Sequence, residues 1–317
     1  MNNILRIVEV TSELGAGSRG ASLGVGALKT ASINLGSPFF TTYKSKQVKN
    51  FNEFLFTENK TPSAIRVEYV TKAFNEVFTS INSVIENKEF PFVLAGDHST
   101  AASTIASIHH SHPGKKLGVI WVDAHADLHS PYTSPSGNIH GMPLAIACGL
   151  NNITQKVNNV LPEVEEYWNN LKELGGKNLS TDNLVFIGVR DTEAPEDHLI
   201  SEKGIKNFTV KEVKENGGKV IAEKTLNLLV DCDIIYVSFD VDSMDPNEVS
   251  HGTGTPVDDG IPVKSVTEIL LHFANSPKLV CFETVEVNPT LDEKKNKMAE
   301  TTLEIIEKVA KVISSRS

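Results

Sequence analysis

Two short strings in this chain carry the residue types of a metal site: Asp123-Ala124-His125-Ala126-Asp127 and Asp240-Val241-Asp242. Each follows a run rich in apolar, β-branched residues, Leu117 to Val122 and Asp233 to Phe239, so both read as buried strands ending in carboxylates. Side chains two apart on extended backbone point the same way. If the extended conformation persists past each strand, Asp123, His125 and Asp127 converge on one point, and Asp240 and Asp242 form a second prong beside it. Desolvating that much like charge is prohibitive unless cations neutralise it, and divalent metals are the obvious neutralisers. A further ligand candidate, His98, follows the short strand Phe92 to Ala95. In an open parallel sheet the carboxyl ends of the strands face one crevice, which would place all three groups around one site. Two His and four Asp without thiolate form a mostly hard donor set that favours manganese over zinc. A lone Asp after a strand is usually a cap, and a lone His is usually satisfied by hydrogen bonds. Six such residues on three strand ends call for a common cause.

The same segments carry a family resemblance. Ala-Gly-Asp-His-Ser (95–99), Val-Asp-Ala-His-Ala-Asp (122–127), Ser-Gly-Asn-Ile-His-Gly (136–141), Ser-Phe-Asp-Val-Asp-Ser-Met-Asp-Pro (238–246) and Glu-Val-Asn-Pro (286–289) resemble the ureohydrolases, and within them the arginases, in family order along nearly the whole chain. The resemblance implies a three-layer α/β/α fold with a central, mainly parallel sheet. It also implies a centre of two Mn2+ per chain held by His98, Asp123, His125, Asp127, Asp240 and Asp242, and hydrolysis of L-arginine to L-ornithine and urea.

That chemistry suits the donor set. A guanidinium carbon is resonance-stabilised and a poor electrophile, so neutral water attacks it poorly. Two metals about 3.5–4 Å apart bridge a water, lower its pKa toward neutrality and hold the resulting hydroxide. The leaving amine then needs a proton before the C–N bond breaks. Asp127 resembles the family residue that passes this proton. His140 resembles the histidine at the mouth of the site, where an imidazole shuttles protons. Glu286 resembles the carboxylate that pairs with the guanidinium.

Substrate choice depends on the far end. Ser136 and Asn138 lie in the segment that meets the amino acid's carboxylate in arginases. Glu193 and Glu196 occupy the region that contacts its α-amino group. His129 and Thr255 are further candidate contacts. Glu193 stands where arginases usually have Asp, and His129 where they often have Asn, so these contacts depart from the family pattern. Residues 247–251 form a stretch slightly longer than in many arginases and are expected to reshape the rim. The alternatives are another ureohydrolase, acting on agmatine, guanidinobutyrate or formimidoglutamate, and a non-catalytic arginine-binding protein. The last would be expected to have lost metal ligands, and none is missing.

The elements that must position these groups are readable in outline. Strands are expected at Ile4 to Val10 and Leu184 to Val189 and, last, from Leu279 to Glu286. Helices are expected at Ala21 to Ile33, Ser63 to Asn87, Lys219 to Val230, Lys264 to Asn275 and Lys294 to Ser314, with Ser99 capping another through Ile108. Residues 128–142 read as a loop, and 151–183 as a polar, mobile excursion. The alternation of strands and helices over 317 residues argues for one domain, 1–317.

Gly15-Ala16-Gly17-Ser18-Arg19-Gly20 matches a dinucleotide fingerprint, but no acid occurs between Glu13 and Glu53 to hold a ribose, so a flexible turn is the better reading. His109, His110 and His112 suit a helix carboxyl end. Asp97 is expected to orient backbone or a ligand, and Asp245 to make an Asp-Pro turn. Cys148, Cys232 and Cys281, odd in number and set in apolar stretches, read as buried free thiols. A net charge of −10 disfavours nucleic acid and anionic membrane as partners. No apolar run approaches membrane-spanning length, and Met1 to Arg6 lacks a signal-peptide pattern, so a cytoplasmic location is expected. The resemblance adds a homo-oligomer, trimer or hexamer.

Overall fold

The apolar runs become strands of a single sheet in the computed structural model, which describes residues 4–176 and 179–316. Among the described residues the strands are β1 (Ile4–Val10), β2 (Ser45–Gln47), β3 (Glu89–Ala95), β4 (Leu117–Val122), β5 (Leu184–Ile187), β6 (Lys206–Phe208), β7 (Ile234–Asp240) and β8 (Leu279–Val285). Their order across the sheet is β2-β1-β3-β8-β7-β4-β5-β6, and every pairing is parallel. All-parallel pairing requires crossovers, and these lay helices on both faces.

Alternate residues of the inner strands feed two cores. Ile120 and Val122 of β4, with Val237 and Phe239 of β7, face helices Gly24–Leu35, Val263–Ala274 and Lys297–Ser314. Val119 and Trp121, with Tyr236 and Cys281, face helices Val67–Glu86 and Ala101–Ser111. The layers are therefore helix, sheet, helix, as the fold class required.

Three expectations change. Residues 151–183 contain a helix, Pro162–Leu174, whose Val164, Trp168 and Leu171 are fully buried in a third apolar cluster; residues 177 and 178 of this stretch lie outside the described residues. The excursion is anchored because its three apolar residues fall on one helical face, a signal diluted by the charges around them. Ser99 does not cap the helix through Ile108. Instead Asp97 caps a short 3-10 turn, His98–Thr100, by accepting from the Ser99 N–H at 2.8 Å, and the α-helix begins at Ala101. The loop around Gly15–Gly20 is pinned: Gly15 N–H donates to Asp97 Oδ2 at 2.9 Å, and Gly20 N–H to Glu13 Oε2 at 2.8 Å.

Other readings hold. The three cysteines are free, and Cys232 and Cys281 are buried as expected, whereas Cys148 is only half-buried. Asp245 turns the chain by accepting from Asn247 N–H, and His112 Nδ1 lies 2.9 Å from the helix-end carbonyl of Ile108. No helix among the described residues is long and apolar enough to cross a membrane.

Candidate active site

Four neighbouring strands in the middle of the sheet, β3, β8, β7 and β4, deliver the candidate residues from their carboxyl ends. His98 follows β3, Glu286 follows β8, Asp240 ends β7 and Asp123 follows β4. The sheet's strand order changes direction here, where the crevice of an open α/β sheet lies.

The convergence is real, but extended backbone does not produce it. Asp127 has a φ of 52°, in the left-handed region, so the chain turns back after β4. Asp242 lies in a 3-10 turn, Val241–Ser243, closed by the Asp242 N–H donating to Asp240 Oδ1 at 2.8 Å. Asp123 Oδ1 likewise accepts from the His125 N–H at 2.7 Å. Each pair thus folds on its own carboxylate, a local hydrogen bond that competes successfully with strand continuation.

His98 Nδ1 lies 3.1 Å from Asp123 Oδ2, 3.1 Å from Asp127 Oδ2 and 3.3 Å from Asp240 Oδ2. His125 Nδ1 lies 2.9 Å from Asp242 Oδ2 and 3.6 Å from Asp123 Oδ1. Two donor groups result, His98/Asp123/Asp240 and Asp123/His125/Asp242, each with ligand atoms within 4.8 Å of one another and sharing Asp123. His98 Nδ1 and Asp123 Oδ2 are buried yet make no properly directed hydrogen bond. Orphaned atoms of opposite character, facing one another among buried carboxylates, fit a pair of hard cations.

The electrostatics agree. Burial, followed by repulsion from Asp242 and Asp123, pushes the Asp240 carboxyl well above the usual range; burial and then Asp123 push Asp127 up to about 6. Burial also raises Asp242, with Asp123 adding to it. For His98 and His125 burial works downward, but the surrounding carboxylates outweigh it and raise both. Raised carboxyls make the native chain bind extra protons, so they destabilise it as pH climbs from the ordinary carboxylate value to the raised one. Raised imidazoles contribute stability that is present below their ordinary value and lost as pH rises through the raised one. Asp123 is held low, despite burial, by His125 and His98, and opposes this trend only below the usual carboxylate range. Protons thus do the work of cations in the metal-free chain. The rise in melting midpoint on adding a divalent cation should therefore grow between about pH 5.5 and about pH 7.5. A gain that stays flat or shrinks over that interval counts against a metal centre here.

Above these groups opens a cavity of about 410 Å³ lined by His98, His125, Asp127, Asp240, Asp242 and Glu286 at its floor, and by His129, Ser136, Asn138, His140, Glu193, Glu196 and Thr255 on its walls. Asp123 lies beneath, fully buried. Glu286, with φ 67°, has Oε1 accepting from the His98 N–H at 2.9 Å and lying 3.1 Å from His140 Nδ1. That carboxylate, set against the downward pull of burial, raises the His140 imidazole.

The loop carrying Ser136, Asn138 and His140 is tied down by Gly137 N–H to Ser134 Oγ, Ile65 N–H to Gly137 O and His140 N–H to Gly15 O. At the far wall His129 Nε2 lies 2.8 Å from Glu193 Oε2 and 3.4 Å from Glu196 Oε2. Glu196 is almost fully buried, with Oε1 accepting from Leu128 N–H and Oε2 from Glu193 N–H, while Glu193 is more than half exposed. Thr255 Oγ1 lies 3.4 Å from Asp242 Oδ2. Residues 247–251 do not reshape the rim: none lines the cavity, because Val249 and Ser250 are buried and His251 N–H is held by Glu293.

Asp191, which lines the cavity with Oδ2 3.5 Å from His125 Nε2, was not anticipated. Its signal was its position just past a strand, as for the other acids.

Relatives of known family share this sequence and fold. The model of the arginase family matches residues 5–311. The arginase of Bacillus subtilis is 33% identical over 309 residues, covering 97% of both chains. The arginase of Entamoeba histolytica is 34% identical over 263 residues, covering 80% of this chain and 82% of that one. The crystal structure of the Entamoeba histolytica arginase in complex with L-ornithine superposes with a TM-score of 0.83 at 27% identity, covering 98% of this chain and 99% of that one. From residue 5 to residue 311, this chain belongs to the arginase family.

Proposed function

We propose that this chain hydrolyses L-arginine to L-ornithine and urea at a centre of two manganese ions. The observation that carries the reading is the pair of donor groups sharing Asp123, which open with Glu286 into one cavity. His98, Asp123, His125, Asp127, Asp240 and Asp242 would hold the metals, which when bound supply Lewis acidity and a water acidified toward neutral pH. Glu286 anchors Oε1 on the His98 N–H and His140, leaving Oε2 to accept from the guanidinium. Asp127, at the cavity edge, passes a proton to the leaving amine. His140, one-fifth exposed, exchanges protons between the site and bulk water.

At the far end Ser136 and Asn138 receive the α-carboxylate, while Glu193 faces the α-amino group with Glu196 and His129 behind it and Thr255 on the opposite wall. The chain is expected to act as a single domain, 1–317, in a cytoplasmic homo-oligomer, a trimer or hexamer, with no nucleic acid or membrane partner.

Urea release by manganese-loaded protein from arginine, agmatine and guanidinobutyrate, and formamide release from formimidoglutamate, test the reading. Arginine should be turned over fastest; a wild-type chain that hydrolyses agmatine equally well would leave the metal chemistry standing and defeat the substrate assignment. Substituting Ser136 and Asn138 together by Ala should lower kcat/KM for arginine by one or more orders of magnitude, since each charge-assisted hydrogen bond is worth roughly 1.5–3 kcal/mol. The slow agmatine reaction should barely change, because agmatine has no carboxylate to lose contact with.

A further inference from the structure

The floor under the candidate metal centre is polar where the surrounding sheet face is apolar. Trp121 of β4 pairs with Ser238 of β7, and Ser238 with Glu283 of β8, so the three stand side by side. Tyr236, two residues before Ser238, is on the same side of β7. All four are at 0% exposure, among Val93, Val119, Phe186 and Cys281. A carboxyl group in such surroundings is costly unless hydrogen-bonded, so Glu283 needs a reason to be there.

The Tyr236 phenol meets that need by donating to Glu283 Oε2 at 2.6 Å. Ser238, between Trp121 and Glu283 in the sheet, reaches the active site. Ser238 Oγ lies 2.8 Å from His98 Nε2. The His98 ring lies flat on the Trp121 indole, with centroids 4.1 Å apart and planes 4° apart. A metal-ligating imidazole keeps its proton on the other nitrogen, so with Nδ1 turned toward Asp123, Asp127 and Asp240 the Nε2–H donates to Ser238 Oγ, while the indole limits rotation of the ring.

We infer that Ser238 and Trp121 are positioning residues that hold His98 in one tautomer and orientation, and so set how tightly the metal on the His98 side is bound. The inference rests on the two-metal reading proposed above. Neither residue lines the cavity. Partners of this kind typically contribute about 10–100-fold in metal affinity.

The test is titration of the metal-free full chain with Mn2+, with free Mn2+ followed by its EPR signal, alongside the melting midpoint of the metal-free form. Ser238→Ala should weaken one of the two ions by about 10–100-fold, leave the other unchanged and leave the metal-free midpoint in place. Ser238→Thr, which keeps the hydroxyl, should restore the parent's binding. Should Ser238→Ala fail to fold, Trp121→Phe, which shrinks the flat face under the His98 ring, must weaken the same ion. Unchanged binding of both ions, or equal weakening of both together with a lowered metal-free midpoint, overturns the inference. A parent chain that binds no divalent cation overturns the metal centre itself, and this inference with it. A parent that binds two ions while both variants do the same overturns the positioning role alone.

Discussion

Asp240→Asn is expected to leave a folded chain that holds well under two metal ions and releases no measurable urea. Asp240 ends β7 with Oδ1 accepting from the Asp242 N–H at 2.8 Å and Oδ2 3.3 Å from His98 Nδ1. Asparagine keeps the shape, and its carbonyl oxygen can still close the 3-10 turn. What it loses is a negative charge at a buried site whose other members are arranged for cations. Removing one partner of a buried charge pair costs roughly 3–5 kcal/mol, so metal affinity should fall by about 10²–10⁴-fold. The metal-free protein should not be destabilised, since burial and repulsion from Asp242 and Asp123 already disfavour the Asp240 charge there. Elemental analysis after dialysis, urea release and melting curves read the three effects separately. Full occupancy with near-normal activity would remove Asp240 from the centre.

Much of this site could be read before the fold because its signal is local. A buried strand announces itself as a continuous apolar run, and an acid directly after such a run stands out, as Asp123 and Asp240 do. What was not legible depends on neighbours in space. The edge strands Ser45–Gln47 and Lys206–Phe208 are short and largely polar, and exist because β1 and β5 offer them hydrogen bonds. The left-handed φ of Asp127 and the turn after Asp240 replace the extended backbone from which the convergence was argued. The ligands meet anyway, because side-chain carboxylates close those turns.

Other roles are set by distant partners. Glu283 is one polar residue in an apolar strand, and Tyr236 of β7 supplies its hydrogen bond. The segment Pro162–Leu174 reads as solvated because charge dominates its composition, yet Val164, Trp168 and Leu171 bury one face of it, with the Trp168 indole N–H donating to Asn151 at 2.8 Å. Glu196 lines the cavity, and what the sequence hides is that its oxygens also accept from Leu128 and Glu193 N–H groups as part of a capping box.

Glu286→Gln should reduce kcat/KM for arginine by on the order of 10²–10³-fold while both metals stay bound. The backbone there is already committed: Glu286 has φ 67°, and its N–H donates to Gly96 O at 2.8 Å. Glutamine can occupy the same rotamer, with its carbonyl oxygen accepting from the His98 N–H and His140 as Oε1 does now. Its amide nitrogen then replaces Oε2 and turns N–H groups toward the substrate. A guanidinium has only donors to offer, so donor faces donor where a carboxylate accepted. The loss is therefore larger than one missing hydrogen bond, and it adds to the missing charge. Because Glu286 belongs to neither donor group around Asp123, metal content should match the parent. Steady-state kinetics with arginine and elemental analysis of the same preparation decide the matter. Activity lost together with a metal ion would make Glu286 a ligand, and activity kept would leave the guanidinium without its proposed partner.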